Sequence, residues 1–209
     1  YRVGFDHHRL MDEVEALVRA LALAFERPVA GCERLSYQAC YLRYCGLDPL
    51  SATDAALEAV LAPFSIDFNG LQRDDCLDLI RTHLIEPQLA TGQMLFIYDF
   101  PASQAALARI SASDSRVAER FELYLGSREI ANGYFELGDA HEQRRRFEHD
   151  LMLRRSRGSS EPALDEHLLQ ALPQMPDCAG VALGIERLHQ WLTGAERIDE
   201  VLAFPFARA

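Results

Sequence analysis

Apolar residues recur at steps of three and four near the start of the chain. Leu10, Val14, Leu17, Val18, Leu21 and Phe25 fall on one face of a helix predicted over about residues 6–25, which Pro28 ends. Ser36 is placed to cap a short helix running to Cys45, with Gly46 in the left-handed C-terminal position, and Ser51 to cap a third over about 53–61. A fourth spans about 71–84. Pro63, Gly70 and Pro87 punctuate this half, so the many short helices between about residues 34 and 90 are expected to form an insertion or peripheral layer.

The pattern changes at Met94. Met94 to Phe100 is an apolar and aromatic run closed by Pro101, as in a buried strand. Phe121 to Leu125 and Arg128 to Tyr134 flank Gly126-Ser127, a glycine-first two-residue loop that fits a type II′ hairpin turn. A charged helix over 141–157 ends at Gly158 and a short one follows over 164–172. Small residues over 179–185 make a further strand, Glu186 begins another helix, and Val201 to Phe206 closes the chain. Strands grouped after a run of helices predict an α+β fold with an antiparallel sheet flanked by helices.

With 209 residues, 49% of them hydrophobic, the chain can build one ordinary core without metal or disulfide staples. No apolar run is long enough to cross a bilayer, which argues against a membrane partner. The 21 basic residues are all Arg and are outnumbered by 32 acidic ones; a net charge of −11 leaves no whole-protein attraction for nucleic acid. Five cysteines without metal-ligand spacing predict reduced thiols and a cytoplasmic protein. His7 and His8 lack suitably spaced partners and are expected to serve surface or packing roles. Tyr41, Tyr44 and Trp191 are expected in the core or an interface, and the arginines of the 141–157 helix on a solvated face, with docking of an acidic partner as the alternative.

The hairpin carries the candidate chemistry. In a two-residue hairpin Tyr124 pairs with Glu129, so Glu122 and Glu129 share a face as diagonal neighbours about 7–8 Å apart. Two carboxylates at that spacing suit a cation shared with phosphate oxygens, as Mg²⁺ prefers; two solvated glutamates are the plainer alternative. Asn132 and Glu136 extend the polar character of the second strand. A regular strand would turn Asn132 away from Glu129, so a common pocket requires a bend or bulge near Gly133. In the 180–188 stretch, Gly180, Ala182 and Gly184 clear one strand face for a flat ligand, and Arg187 follows in the first helical turn within reach of a phosphate. Close strand–helix packing explains the small residues as well.

The segments RFELYLGSREIANGYFELGD (120–139) and GVALGIERL (180–188) resemble the catalytic core of the class II lysyl-tRNA synthetase family. The second is similar to its motif 3, placed at about residues 179–193, and the opening YRVGFDHHRLM to the chain just after motif 2. The resemblance implies that residues 1–209 are the C-terminal part of a class II synthetase catalytic domain. It also implies that Glu122 and Glu129 hold Mg²⁺ on ATP, that Arg187 grips the γ-phosphate and acts in catalysis, and that Gly184 makes room for the nucleotide. Asn132 is implied to contact the substrate carboxylate, and Tyr1 with Glu136 to recognise the lysine side-chain ammonium.

Two departures, Ala182 in place of glycine and the segment FPASQAALA (100–108), are more similar to the branch of the family that joins (R)-β-lysine to a lysine of elongation factor P. That branch implies lysine or (R)-β-lysine as substrate, elongation factor P as acceptor, and a homodimeric parent protein. A lysyl-tRNA synthetase acting on lysine tRNA is the alternative, and a non-catalytic synthetase-like binding module a third reading. Motifs 1 and 2 are implied to lie before Tyr1, so the 209 residues alone are expected not to form adenylate at an appreciable rate.

Overall fold

The structure, a computed structural model, describes residues 1–90 and 92–206. Six strands, β1 (Arg2–Val3), β2 (Gly31–Ser36), β3 (Gln93–Pro101), β4 (Val117–Leu125), β5 (Arg128–Phe135) and β6 (Cys178–Leu183), form one sheet in the order β1-β6-β5-β4-β3-β2. Every neighbouring pair is antiparallel except β2 with β3, which is parallel. The sheet is thus antiparallel as expected, with that one pair as the exception. Its cause is the connection: the chain leaves β2, builds three helices over one face, and returns to β3 in the same direction, as a parallel crossover requires. The sequence hid β2 because only Leu35 of its six residues is buried.

Helix α1 (His7–Ala24) is capped by Asp6, whose carboxylate accepts from the Arg9 amide at 2.8 Å. Helices α2 (Tyr37–Cys45), α3 (Asp54–Leu61) and α4 (Arg73–Ile80) form the expected layer. Ser36 and Gly46 cap α2 as read, whereas Thr53, not Ser51, caps α3. The fourth predicted helix is interrupted: α4 stops at Ile80 and the backbone widens into a π-helical turn over Arg81–Ile85. Helices α5 (Ala140–Ser156), α6 (Glu166–Ala171) and α7 (Ile185–Thr193) follow the hairpin and β6.

The two sheet faces bury different partners. On one, Met94, Phe96, Phe121 and Leu123 pack against Val14 and Val18 of α1 and Leu188 and Trp191 of α7. On the other, Leu95, Ile97 and Tyr124 pack against Tyr37, Tyr41, Leu77 and Ile80 of the helical layer. Tyr41 bonds the Leu77 carbonyl at 2.6 Å and the Tyr37 hydroxyl at 2.7 Å, so its polar tip is satisfied inside that core. This layer covers the β3–β4 half of the face. The β5–β6 half carries the half-buried Glu129 and Asn132 and the exposed Ala182. His7, expected to pack, is buried with neither ring nitrogen hydrogen-bonded, 3.4 Å from Asp99. All five cysteines are free. No helix among the described residues is long and apolar enough to cross a membrane.

Candidate active site

The hairpin turn forms as its residues dictate. Gly126 takes the positive φ (58°) that the first position of a II′ turn needs, Leu125 pairs with Arg128, and Tyr124 with Glu129. Beyond these the register shifts: Leu123 pairs with Ala131 and Glu122 with Asn132, leaving Ile130 without a partner. The bulge expected near Gly133 therefore exists, but at Ile130, whose side chain is buried in the core beneath α1. One extra residue restores the phase, so Glu129 and Asn132, three apart, point to the same face as Glu122. Gly133 is regular strand. A Cβ there would stand 2.4 Å from the Phe121 ring, so the missing side chain makes room for core packing rather than for a bend.

Glu122 is 2% exposed and accepts three hydrogen bonds. Its Oε1 accepts from Arg120 at 2.6 Å, and its Oε2 from Arg81 at 3.0 Å and from the Tyr124 hydroxyl at 2.7 Å. A carboxylate offers about four lone-pair sites, so one remains, on Oε1. Glu129 is half-buried and its carboxyl is pushed up by burial and by the charge of Glu122, with Arg187 acting in the opposite sense. Arg187 donates to the Glu129 carbonyl at 2.9 Å, and its guanidinium lies 3.8 Å from the Glu129 carboxylate. Both border a polar cavity of about 440 Å³ shared with Glu86, Arg128 and Gln190. Among the described residues no three His, Cys, Asp or Glu converge as a ready-made metal cage. Glu129 and the free site on Glu122 fit the alternative, a Mg²⁺ ion carried largely by phosphate oxygens and water.

The small-residue strand divides its roles unevenly. At Gly180 a Cβ would meet Glu136 Oε1 at 2.2 Å and the Tyr1 ring at 2.6 Å, so this glycine is what lets those two residues converge. Glu136 is 7% exposed, and burial pushes its carboxyl up to about 7. Ala182 lies opposite Asn132 across the β5–β6 ladder. Gly184, which precedes α7, leaves ordinary contact distance, 3.5 Å to the Ile130 carbonyl, where a Cβ would stand. The close approach in this strand is at Gly180, not Gly184.

Arg81, Arg120 and Tyr124 complete the site without having been singled out as its residues. Arg120 was within reach, since it lies two residues before Glu122 on the same strand face. Arg81 comes from the π-turn 41 residues earlier, a proximity only the packed helical layer creates. The 141–157 arginines are largely neutralised: Arg144 pairs with Glu166, Arg145 and Arg146 with Glu142, Arg155 with Glu161 and Arg157 with Asp75. The guanidiniums of Arg145 and Arg146 hold the Glu142 carboxyl down at about 2.

A mainly antiparallel sheet flanked by helices presents two carboxylates and an amide on one face, with a helix-borne arginine beside them. Residues 4–208 match the family described as class II tRNA synthetases (D, K and N), and the chain belongs to that family. It is 44% identical, over 215 aligned residues, to the elongation factor P–(R)-beta-lysine ligase of Yersinia enterocolitica. The match takes in all of this chain and 64% of that protein, so the chain spans about 64% of the length of this relative.

Proposed function

We propose that residues 1–209 are the C-terminal part of the catalytic domain of an ATP-dependent ligase that activates (R)-β-lysine or lysine and transfers it to a lysine of elongation factor P. The observation that carries this is the Ile130 bulge, which gathers Glu122, Glu129 and Asn132 on one face. The 44% identity to a ligase of that name supports the choice of substrate and acceptor.

In this reading Tyr1 and Glu136 hold the substrate side-chain ammonium and Asn132 its carboxylate. Arg187 holds the γ-phosphate of ATP, and Gly184 leaves room for the nucleotide beside it. The carboxylate oxygen attacks the α-phosphorus; a phosphorus–oxygen bond forms, the α–β bridge breaks, and pyrophosphate leaves. The lysine amine of the acceptor then attacks the carbonyl of the mixed anhydride, AMP departs, and the amine gives up a proton. Glu129 and Glu122 would hold Mg²⁺, which would supply neutralisation of phosphate charge. The protein's part is positioning and electrostatic complementarity. Ala182 trims the pocket by one methyl relative to glycine, a discrimination between isomers of about 1–3 kcal/mol. Five free cysteines fit a reducing, cytoplasmic setting. A homodimeric parent protein is proposed on the family resemblance, and sedimentation of the full-length protein tests it.

The deciding experiment incubates the full-length gene product with ATP, Mg²⁺ and either lysine isomer, and records the intact mass of elongation factor P beside charging of lysine tRNA. A gain of one lysyl unit on the protein with uncharged tRNA is expected. Charged tRNA with unmodified protein makes it a lysyl-tRNA synthetase instead, and neither product makes it a binding module.

A further inference from the structure

Arg120 stands on β4 between the two halves of the site. Its Nη2 donates to Glu122 Oε1 at 2.6 Å, its Nε to Asn132 Oδ1 at 3.3 Å, and its Nη1 to the Gln104 carbonyl at 2.8 Å. The guanidinium carbon lies 4.4 Å from the Phe100 ring centroid and 5.8 Å from that of Tyr134. The side chain is 15% exposed. Three edges of the planar fork are bonded and its faces lie against aromatic rings, so it has one orientation in which all these contacts are kept.

The consequence falls on Asn132. An amide presents an oxygen that accepts and an NH₂ that donates, and strand geometry alone leaves the two ways round nearly equivalent. Arginine carries donors and no acceptor, so whatever amide atom faces Arg120 must be the oxygen. The NH₂ of Asn132 is then turned away from Arg120, free to donate to an anion bound over β5 and β6. The same guanidinium, through Glu122, ties this orientation to the nucleotide side of the site.

We propose that Arg120 is a positioning residue that sets the amide of Asn132 with its NH₂ toward the substrate carboxylate and couples that contact to Glu122. The inference rests on the reading of Asn132 given above, and goes beyond it by assigning the selection for a carboxylate to a residue that touches no substrate.

The test compares ligands with and without the carboxylate, because a ratio of affinities does not depend on how much of a preparation is folded. Binding of lysine and of 1,5-diaminopentane, which keeps both the chain and the ammonium, is measured by calorimetry on the full-length protein with a non-hydrolysable ATP analogue. The proteins are wild type, Arg120→Met, Arg120→Lys and Asn132→Ala. The wild type is expected to prefer lysine, and Asn132→Ala gives the share of that preference which the amide supplies, about tenfold or more for a hydrogen bond to a charged group. Arg120→Met is expected to lose the same share. Arg120→Lys, whose single ammonium can serve Glu122 or Asn132 but not both, is expected to lose most of it while keeping its affinity for the nucleotide within about threefold. Either arginine variant retaining the wild-type ratio, with only a lower binding stoichiometry, overturns the positioning role and leaves the functional reading intact. Absence of lysine binding by the wild type overturns that reading and this inference together.

Discussion

Glu122 and Asn132 stand directly opposite one another across the β4–β5 ladder, and they do so because one residue, Ile130, is left out of the pairing. In an unbroken ladder starting from Tyr124 and Glu129, Glu122 would face Ala131, and Asn132 would turn into the apolar core under α1. Deleting Ile130 leaves only Ala131 between Glu129 and Asn132, which keeps both on one face of a regular strand, so the deletion is expected to lower stability through the lost core side chain while the thermal stabilisation conferred by lysine with an ATP analogue persists. Ile130→Val keeps the bulge and removes one methyl group. It is expected to cost about 0.5–1.5 kcal/mol while leaving ligand-induced stabilisation in place. Thermal melts with and without ligands read both effects, and loss of ligand stabilisation in a deletion variant that still melts cooperatively would show that binding needs the bulge itself rather than the shared face.

Gly180 makes a second, sharper claim. A methyl group there would overlap the Glu136 carboxylate and the Tyr1 ring, whereas one at Gly184 meets only ordinary contacts. Displacement of a binding group by about 1 Å can cost on the order of a hundredfold. Gly180→Ala is expected to raise the KM for the amino acid by about ten- to a hundredfold with the KM for ATP little changed. Gly184→Ala is expected to disturb the apo fold little, and any effect it has should fall on ATP. Pyrophosphate exchange by the full-length protein separates the two, and equal KM values for the amino acid in both variants would refute the contrast.

Much of this was legible in the chain. The hairpin, the apolar face of α1 and the small-residue strand follow from periodicity and turn residues acting over a few positions. So did the need for a bulge, because the alternation of a strand is strict: Glu129 and Asn132 cannot share a face without an extra residue between them. Its location was not legible, since Ile130 is an ordinary strand residue and Gly133 the more obvious place to break; Gly133 instead makes room for Phe121. Edge strand β2 buries a single side chain and carries no alternation to detect. Arg81 illustrates the larger limit. Its contact with Glu122 exists only once the π-turn is packed on the sheet, and nothing local in either segment announces the other.

The basic helix α5 gives a prediction of no effect. Arg155 is paired with Glu161 and Arg144 with Glu166 on its exposed surface, so little unopposed positive charge is left there for an acidic partner. Exposed pairs of this kind contribute about 0–1 kcal/mol each. Arg155→Glu and Arg144→Glu are expected to leave the rate of elongation factor P modification within about twofold and the midpoint of urea unfolding nearly unchanged. A large slowing with unchanged adenylate formation would restore α5 as a docking surface.

Glu136 ties the site to pH. Burial raises its carboxyl to about 7 from an ordinary value of 4.5, so between these limits the folded protein holds more protons than the unfolded chain. Stability then falls as pH rises through that window, by as much as about 3 kcal/mol, and stays at the lower level above it. An ammonium ligand reverses the preference, because it is attracted only to the ionised form, while a lysine side chain, with a pKa of about 10.4, stays charged throughout. Affinity for the amino acid is therefore expected to rise from pH 6 to pH 8 and level off above the pKa of Glu136. Glu136→Gln is expected to remove both slopes: it should bind the amino acid at least about tenfold more weakly at pH 8, and unfold at higher urea concentration than the wild type there. Urea titrations and lysine binding at pH 5.5, 7 and 8.5 test the two together. A wild-type affinity independent of pH over that range would show that the Glu136 carboxylate does not receive the substrate ammonium.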